Sequence, residues 1–233
     1  MATNAQSCKP ETLRFRDAVR TQEAITAPLE RRALAWLARR TPAWIGPDHL
    51  TALGFAAQFL AGVCYALARW SWLGLSGATL FIALNWLGDS LDGTLARYRQ
   101  RQRPRYGFYV DHMIDTFGAI FLMAGLAASG YAHWEIAAAM LTAFLALSIE
   151  AYLAAYTLAD FRLSHGWFGP TEIRILMAAG NVALLFAPRV ALLGHEFLLL
   201  DVGGVMATMA MLGMALASAI RNTRRLYNEE RLR

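Results

Sequence analysis

Residues Gly88–Asp115 read GDSLDGTLARYRQRQRPRYGFYVDHMID. Asp89 and Asp92 close one apolar segment, Asp111 and Asp115 open the next, and Arg97, Arg99, Arg101, Arg103 and Arg105 lie between them. A carboxylate at the centre of a membrane helix costs roughly 2.5–3.5 kcal/mol on insertion scales. Four of them crowded together also repel one another, so something cationic must sit among them. A divalent metal meets that need, and the arginines point to a phosphate-bearing ligand.

The rest of the chain agrees with a membrane setting. It has 233 residues, 57% of them hydrophobic and 17% charged, where a soluble domain carries about 25% charge. Each spanning helix needs roughly 20 apolar residues, so the length suits one domain of about six. The polar, mixed-charge stretch to about Leu29 does not read as a cleavable signal peptide. Cys8 lies in that polar arm and Cys64 in an apolar segment, which makes a disulfide framework improbable and Cys64 a small core residue.

The expected fold is all-α, a polytopic membrane protein of six transmembrane helices with an N-terminal amphipathic juxtamembrane helix. Residues 1–47 form a cytoplasmic arm ending in that helix, 48–220 the six-helix domain, and 221–233 a basic tail. Between Pro28 and about Trp44, Leu29, Ala33, Trp36 and Leu37 recur at helical spacing with Arg31, Arg32, Arg39 and Arg40 elsewhere, as on a helix lying along a membrane surface. A solvated linker helix is the plainer alternative. The spans are placed at about 48–69, 72–98, 107–128, 134–158, 171–187 and 198–220, with turn signals at Arg69-Trp70-Ser71, Ser129-Gly130, Gly166–Pro170 and Pro188–His195.

Lysine and arginine set the orientation. Twenty of them fall in the N-terminal region, the loop after the second span, the ends of the loop after the fourth, and the tail, against Arg69 and Arg189 on the other side. Both termini and the aspartates are therefore expected on the cytoplasmic face of the cell (inner) membrane. Trp70, Trp72 and Trp134 fall where an interfacial aromatic belt belongs. The net charge of +5 calls for lipid head groups and phosphates as partners. No nucleic-acid motif is present.

On a helix Asp89, Asp92, Gly93, Ala96 and Arg97 fall within about 140° of one face, and Asp111 and Asp115 are one turn apart. A connection of about nine residues is expected to make the two helices antiparallel neighbours whose faces meet. Oxygen ligands on rigid helices suit Mg²⁺ or Mn²⁺, as one ion or two. Gly93, Ala96 and Gly107 leave room for a ligand, and Arg97 can grip a phosphate bidentately. The competing structural reading is a charge network in which the loop arginines neutralise the aspartates.

These residues resemble the signature of the CDP-alcohol phosphotransferases, D-x2-D-G-x2-A-R-x8–9-G-x3-D-x3-D, at Asp89, Asp92, Gly93, Ala96, Arg97, Gly107, Asp111 and Asp115. The resemblance covers about residues 48–220 and implies transfer of a substituted phosphoryl group from a CDP-linked donor to an alcohol, with release of CMP. It implies Asp89, Asp92 and Asp111 as metal ligands, with Asp115 a further ligand or the base that deprotonates the acceptor hydroxyl. Gly93, Ala96, Arg97 and Gly107 would border the cytidine and pyrophosphate. A homodimer is also implied by the resemblance alone.

His112 follows Asp111 and lies about 60° around the helix from Asp115, as a hydrogen-bond partner or proton carrier would. Glu172, in Phe168-Gly169-Pro170-Thr171-Glu172, opens the fifth span, where an acid complements the helix dipole. Together they resemble the choline and ethanolamine phosphotransferase branch of the family, in which an Asp-His and a later Thr-Glu pair are implicated in activating diacylglycerol. Six spans instead of about ten, and Thr94-Leu95 for that branch's Lys-Gln, depart from it. Glu150, with Tyr152 and Tyr156, is a further intramembrane acid whose structural partner would be an arginine such as Arg174. Arg103, Arg105, Arg162 and Arg174 are placed to meet lipid phosphates.

Two substrate arrangements follow. A compact six-helix protein favours CDP-diacylglycerol as donor with a small polar alcohol as acceptor. His112 and Glu172 favour a soluble CDP-aminoalcohol donor with a lipid alcohol as acceptor. Asn85-x3-Asp89-x2-Asp92 faintly resembles the first aspartate motif of intramembrane prenyltransferases, whose second motif is absent. A transporter would place its polar groups at the midplane between repeats, and no repeat occurs here.

Overall fold

Proline sets where four of the helices begin. In the computed structural model, which describes residues 19–21, 26–158, 160–162, 169–192 and 194–231, Pro28, Pro47, Pro104 and Pro170 each stand in a first helical turn. There the missing N–H would have had no intrahelical acceptor. Among the described residues there are seven helices: α1 (Ala27–Arg40), α2 (Pro47–Leu67), α3 (Leu73–Tyr98), α4 (Pro104–Ala128), α5 (Trp134–Leu158), α6 (Pro170–Phe186) and α7 (Leu199–Glu229). The fold is all-α apart from two short two-stranded pieces. Strands β1 (Val19–Thr21) and β2 (Asp160–Arg162) pair in parallel, and β3 (Arg189–Leu192) and β4 (His195–Leu198) form a hairpin between α6 and α7.

Four helices, α2, α4, α5 and α7, are long and apolar enough to cross a membrane, so this is a membrane protein by its helices. The other two expected spans differ for physical reasons. Helix α6 has 17 residues, and α3 carries Asn85 at its middle and Asp89, Asp92 and Arg97 in its second half. Helix α4 starts at Pro104, three residues before the expected 107. Helix α7 runs on to Glu229 instead of stopping near 220, its last turns carrying the Arg225–Glu229 pair at 2.9 Å.

Helix α2 is the centre of the packing. A Cβ on Gly88 of α3 would come within 2.6 Å of the Gly54 nitrogen, and one on Gly125 of α4 within 1.9 Å of the Gly62 oxygen. Glycines at both crossings let the backbones touch, which is how membrane helices gain contact where burial of oil against oil gains nothing. The expectation that α3 and α4 pack directly on each other is therefore corrected. Each packs on α2, which lies between them, and their mutual contact is slight.

Two apolar clusters hold the frame. One joins α2, α3, α4 and α6 through Ala61, Tyr65, Leu75, Ile82, Leu122, Leu126 and Leu184. The other fastens α1 to α2 and α3 through Leu34, Ala38, Leu50, Leu91 and Leu95. Arg99 clamps the α1–α2 turn from below, donating to the carbonyls of Ile45 at 2.5 Å and of Thr41 and Pro42 at 2.9 Å.

Candidate active site

Asp89, Asp92 and the α4 aspartate Asp115 act on one another electrostatically, with Arg174 of α6 among them. Asp115 of α4 thus comes near the α3 pair even though the two helices make little direct contact. Asp89 Oδ2 accepts from Arg174 Nη2 at 2.7 Å, and Arg174 Nε donates to Asn85 Oδ1 at 3.0 Å. Asn85, one turn before Asp89, in turn donates to the Gly54 carbonyl at 3.0 Å and to Gln58 Oε1 at 3.1 Å. A polar chain therefore runs from α2 through Asn85 and Arg174 to Asp89.

Asp92 takes a 2.6 Å hydrogen bond from Thr51 Oγ1 on α2 and a second from the Gly93 amide. Asp111 is partly exposed, with Oδ2 3.9 Å from His112 Nδ1. His112 points its Nδ1 at the Phe108 carbonyl 2.5 Å away. Its buried ring lies 4.1 Å from that of Phe108 and meets the edge of Tyr152 at 4.5 Å. Tyr152 of α5 is itself within electrostatic reach of Asp115 and Asp111. His112 therefore packs α4 against α5 behind the aspartates.

Of the residues expected to border a nucleotide, Arg97 is exposed and donates to Thr94 Oγ1 at 3.1 Å. A Cβ on Gly93 would meet Arg97 Nη1 at 3.4 Å, and one on Gly107 would meet nothing within 4 Å. Ala96 is half-buried on the same face. The space at Gly107 is open.

Glu172 is engaged elsewhere. Its Oε1 accepts from the Thr26 amide at 2.9 Å and the Thr26 hydroxyl at 2.7 Å, and its Oε2 from the Gly169 amide at 3.0 Å. The carboxylate caps its own helix and ties α6 to the start of α1. The partner expected for Glu150 is corrected: Asn222 Nδ2 donates to it at 2.7 Å, while Arg174 turns to Asp89. Thr51 and Thr26 each hold a carboxylate of a different helix and Gln58 holds Asn85, roles that their residue types do not announce. No pattern along the chain marks that.

No group of three or more His, Cys, Asp or Glu side chains is gathered tightly enough to hold an ion among the described residues, and Arg174 already takes one oxygen of Asp89. The donor set is nevertheless oxygen-only, carried on helices and crowded with like charge, which is the chemistry a hard divalent cation takes. The residue types therefore suit such an ion, while their spacing does not gather them on one point.

The family model for CDP-alcohol phosphatidyltransferases matches residues 44–219, and the chain belongs to that family. Its members transfer a phosphoryl group from a CDP-alcohol to an alcohol acceptor in phospholipid biosynthesis, and they are generally dependent on divalent metal. No curated protein matches the chain.

Proposed function

We propose that this chain is an integral membrane CDP-alcohol phosphotransferase whose reaction centre is the convergence of Asp89, Asp92 and Asp115. The observation that carries this reading is that Arg174 of α6 sits 2.7 Å from Asp89 of α3, with Asp115 of α4 near enough to feel Asp89, Asp92 and Arg174. Helices α2 to α7 make six spans, α1 lies along the cytoplasmic surface, and the arginine-rich side faces the cytoplasm of the inner membrane. Dimerisation is the family expectation.

Asp89, Asp92 and Asp111 would hold Mg²⁺ or Mn²⁺, as one ion or two, and the ion would supply neutralisation of the donor's pyrophosphate and of the CMP leaving group. Arg97, Gly93, Ala96 and Gly107 border the nucleotide: the guanidinium binds phosphate oxygens and the small residues let the donor approach the backbone. Asp115 accepts the proton of the acceptor hydroxyl. The alcohol oxygen then bonds to the substituted phosphorus while the bond from that phosphorus to the bridging oxygen breaks, and CMP departs with the bridging oxygen. His112 orients α4 from behind, and Glu172 fixes α6.

CDP-diacylglycerol with a small polar alcohol is the favoured pair. The commitment of both Glu172 oxygens to Thr26 and Gly169 supports it over the CDP-aminoalcohol and diacylglycerol arrangement, which asks that glutamate to activate the acceptor. Purified protein given each donor in turn with Mg²⁺, together with a set of small polar alcohols for CDP-diacylglycerol and diacylglycerol for the CDP-aminoalcohols, decides the matter by CMP release. Release from CDP-diacylglycerol alone is expected. Release only from CDP-choline or CDP-ethanolamine reverses the assignment, and release from neither ends the enzymatic reading.

A further inference from the structure

A second buried acid lies beside the site and has no part in the chemistry just described. Glu30 of α1 is 8% exposed. Its Oε1 accepts three hydrogen bonds: from Trp86 Nε1 at 3.0 Å, Ser90 Oγ at 3.1 Å and Thr171 Oγ1 at 2.9 Å. Its Oε2 is buried with no hydrogen-bond partner among the described residues. A buried acceptor left bare costs about 1–3 kcal/mol, so stability alone would favour a residue other than glutamate there. We propose that Glu30 is a positioning residue for Asp89, holding the start of α6 against α3 so that Arg174 stays on the Asp89 carboxylate.

The placement of the donors carries this. Trp86 and Ser90 are one turn apart on α3, and Asp89 lies between them. Thr171 is three residues, again about one turn, before Arg174 on α6. A single oxygen from α1 therefore pins both helices within one turn of the Arg174–Asp89 pair. The other tie at this end is reciprocal, Glu172 of α6 holding Thr26, the residue before α1.

Packing does not do this job. The buried residues of α6 are Asn181 and Leu184, in its far half, and Met177 and Leu184 are the residues by which it joins the larger apolar cluster. The cluster that fastens α1 to α2 and α3 contains no residue of α6. The near end of α6 is thus held by polar ties, Arg174 to Asp89 and Asn85 and Glu172 to Thr26, and among the described residues Glu30 adds the one that joins α1, α3 and α6 at a single atom. Removing it frees the near end to swing on the packed far end, taking Arg174 off Asp89. A displacement of about 1 Å at a reacting centre costs on the order of a hundredfold in rate.

The inference rests on the proposed reaction, and the experiment separates the two. Full-length protein in nanodiscs is compared as wild type, Glu30→Ala, Glu30→Gln and Thr171→Val, with CMP release as readout. Glu30→Ala and Thr171→Val should lower kcat about ten- to a hundredfold with donor KM changed less than about threefold. Glu30→Gln keeps an acceptor oxygen and should recover most of kcat. Independently of turnover, with Cys8 and Cys64 replaced by serine, spin labels at Ile173→Cys and Tyr98→Cys measure the near-end distance between α6 and α3. Labels at Phe186→Cys and Leu73→Cys measure the far end. Glu30→Ala should broaden the first distribution and leave the second alone. A wild type that releases no CMP removes the reaction and leaves the distance measurement to judge the positioning. Unchanged near-end distances, or an active wild type matched by Glu30→Ala, overturn the inference.

Discussion

Arg174 and Asp89 form an ion pair across α6 and α3, Nη2 to Oδ2 at 2.7 Å, with side chains only 16% and 26% exposed. The pair is the point where a cation of the protein itself meets the carboxylates proposed to hold a metal. Arg174 also reaches Asn85, so it is fixed on two sides and cannot leave Asp89 without losing a second hydrogen bond.

Arg174→Gln should therefore do two things. It strands Asp89 beside Asp92 and Asp115, and loss of a partner at a mostly buried carboxylate lowers stability by about 1–3 kcal/mol. It should also lower CMP release. If the cluster accepts a divalent cation, Mn²⁺ restores part of the missing positive charge and raises the thermal midpoint of Arg174→Gln more than that of the wild type. Equal shifts in the two proteins would count against a metal at Asp89.

The glycines separate into two kinds with opposite expectations. Alanine at Gly125 puts its Cβ 1.9 Å from the Gly62 oxygen, and alanine at Gly62 puts one 2.4 Å from the Phe121 oxygen. Backbone cannot yield as a side-chain tip can, so α2 and α4 must separate, at a cost of about 1–3 kcal/mol or more. Both variants should show a lower thermal midpoint and a lower yield of folded protein. Gly107→Ala meets nothing within 4 Å and should fold as the wild type does. If the open space there admits the nucleotide, its effect appears as a raised donor KM. A stability loss at Gly107 equal to that at Gly125 contradicts this division.

The contrast explains what could be read along the chain. The helices follow the apolar periodicity, so sequence alone places most of their ends within a few residues, the C-terminal end of α7 excepted. The position of α2 between α3 and α4 was hidden. It depends on Gly54 meeting Gly88 and Gly62 meeting Gly125, pairings between helices that no periodicity within one helix encodes. For the same reason Arg174 was matched to Glu150 by sign and depth, while the fold gives Glu150 to Asn222 of α7. Hydrogen-bonding residues such as Thr51 and Thr26 are ordinary by type and gain meaning only from the helix opposite. The amphipathic stretch after Pro28 does form a helix, and Glu30 and Leu34 on it face inward.

On the opposite face of the molecule, His133 Nδ1 meets Asp201 Oδ2 at 2.5 Å and its amide donates to Asp201 Oδ1 at 2.8 Å, joining the α4–α5 turn to the start of α7. The hydrogen bond to Asp201, with the attraction of that carboxylate, raises the imidazole pKa above its usual value near 6.5. The folded-state pKa is the higher one, so the contribution of the charged pair is complete below about 6.5 and is lost as pH rises through the folded value. The ring is exposed and solvent screens the pair, so the effect should be small. The thermal midpoint should fall gently with rising pH above about 6.5, and this slope should vanish in His133→Gln. A slope that survives the substitution belongs to another group.

The proposed base gives the sharpest comparison. Asp115→Asn keeps the size of the side chain but cannot accept a proton from an alcohol at neutral pH. General-base assistance contributes about 10²–10⁴-fold, so kcat should fall by that order while the protein folds and inserts normally. Glu172→Gln is the matched control. It keeps one acceptor oxygen for Thr26 or Gly169 and gives up the charge at the start of α6, so it should lower the thermal midpoint and reduce kcat less than about tenfold. His112→Gln should behave as a packing change against Phe108 and Tyr152, lowering stability more than turnover. A reversal, with Glu172→Gln or His112→Gln abolishing CMP release while Asp115→Asn retains it, moves the base from α4's second aspartate to the histidine–glutamate pair. The acceptor would then have to approach from the α1 side of the cluster, where Thr26 now holds Glu172.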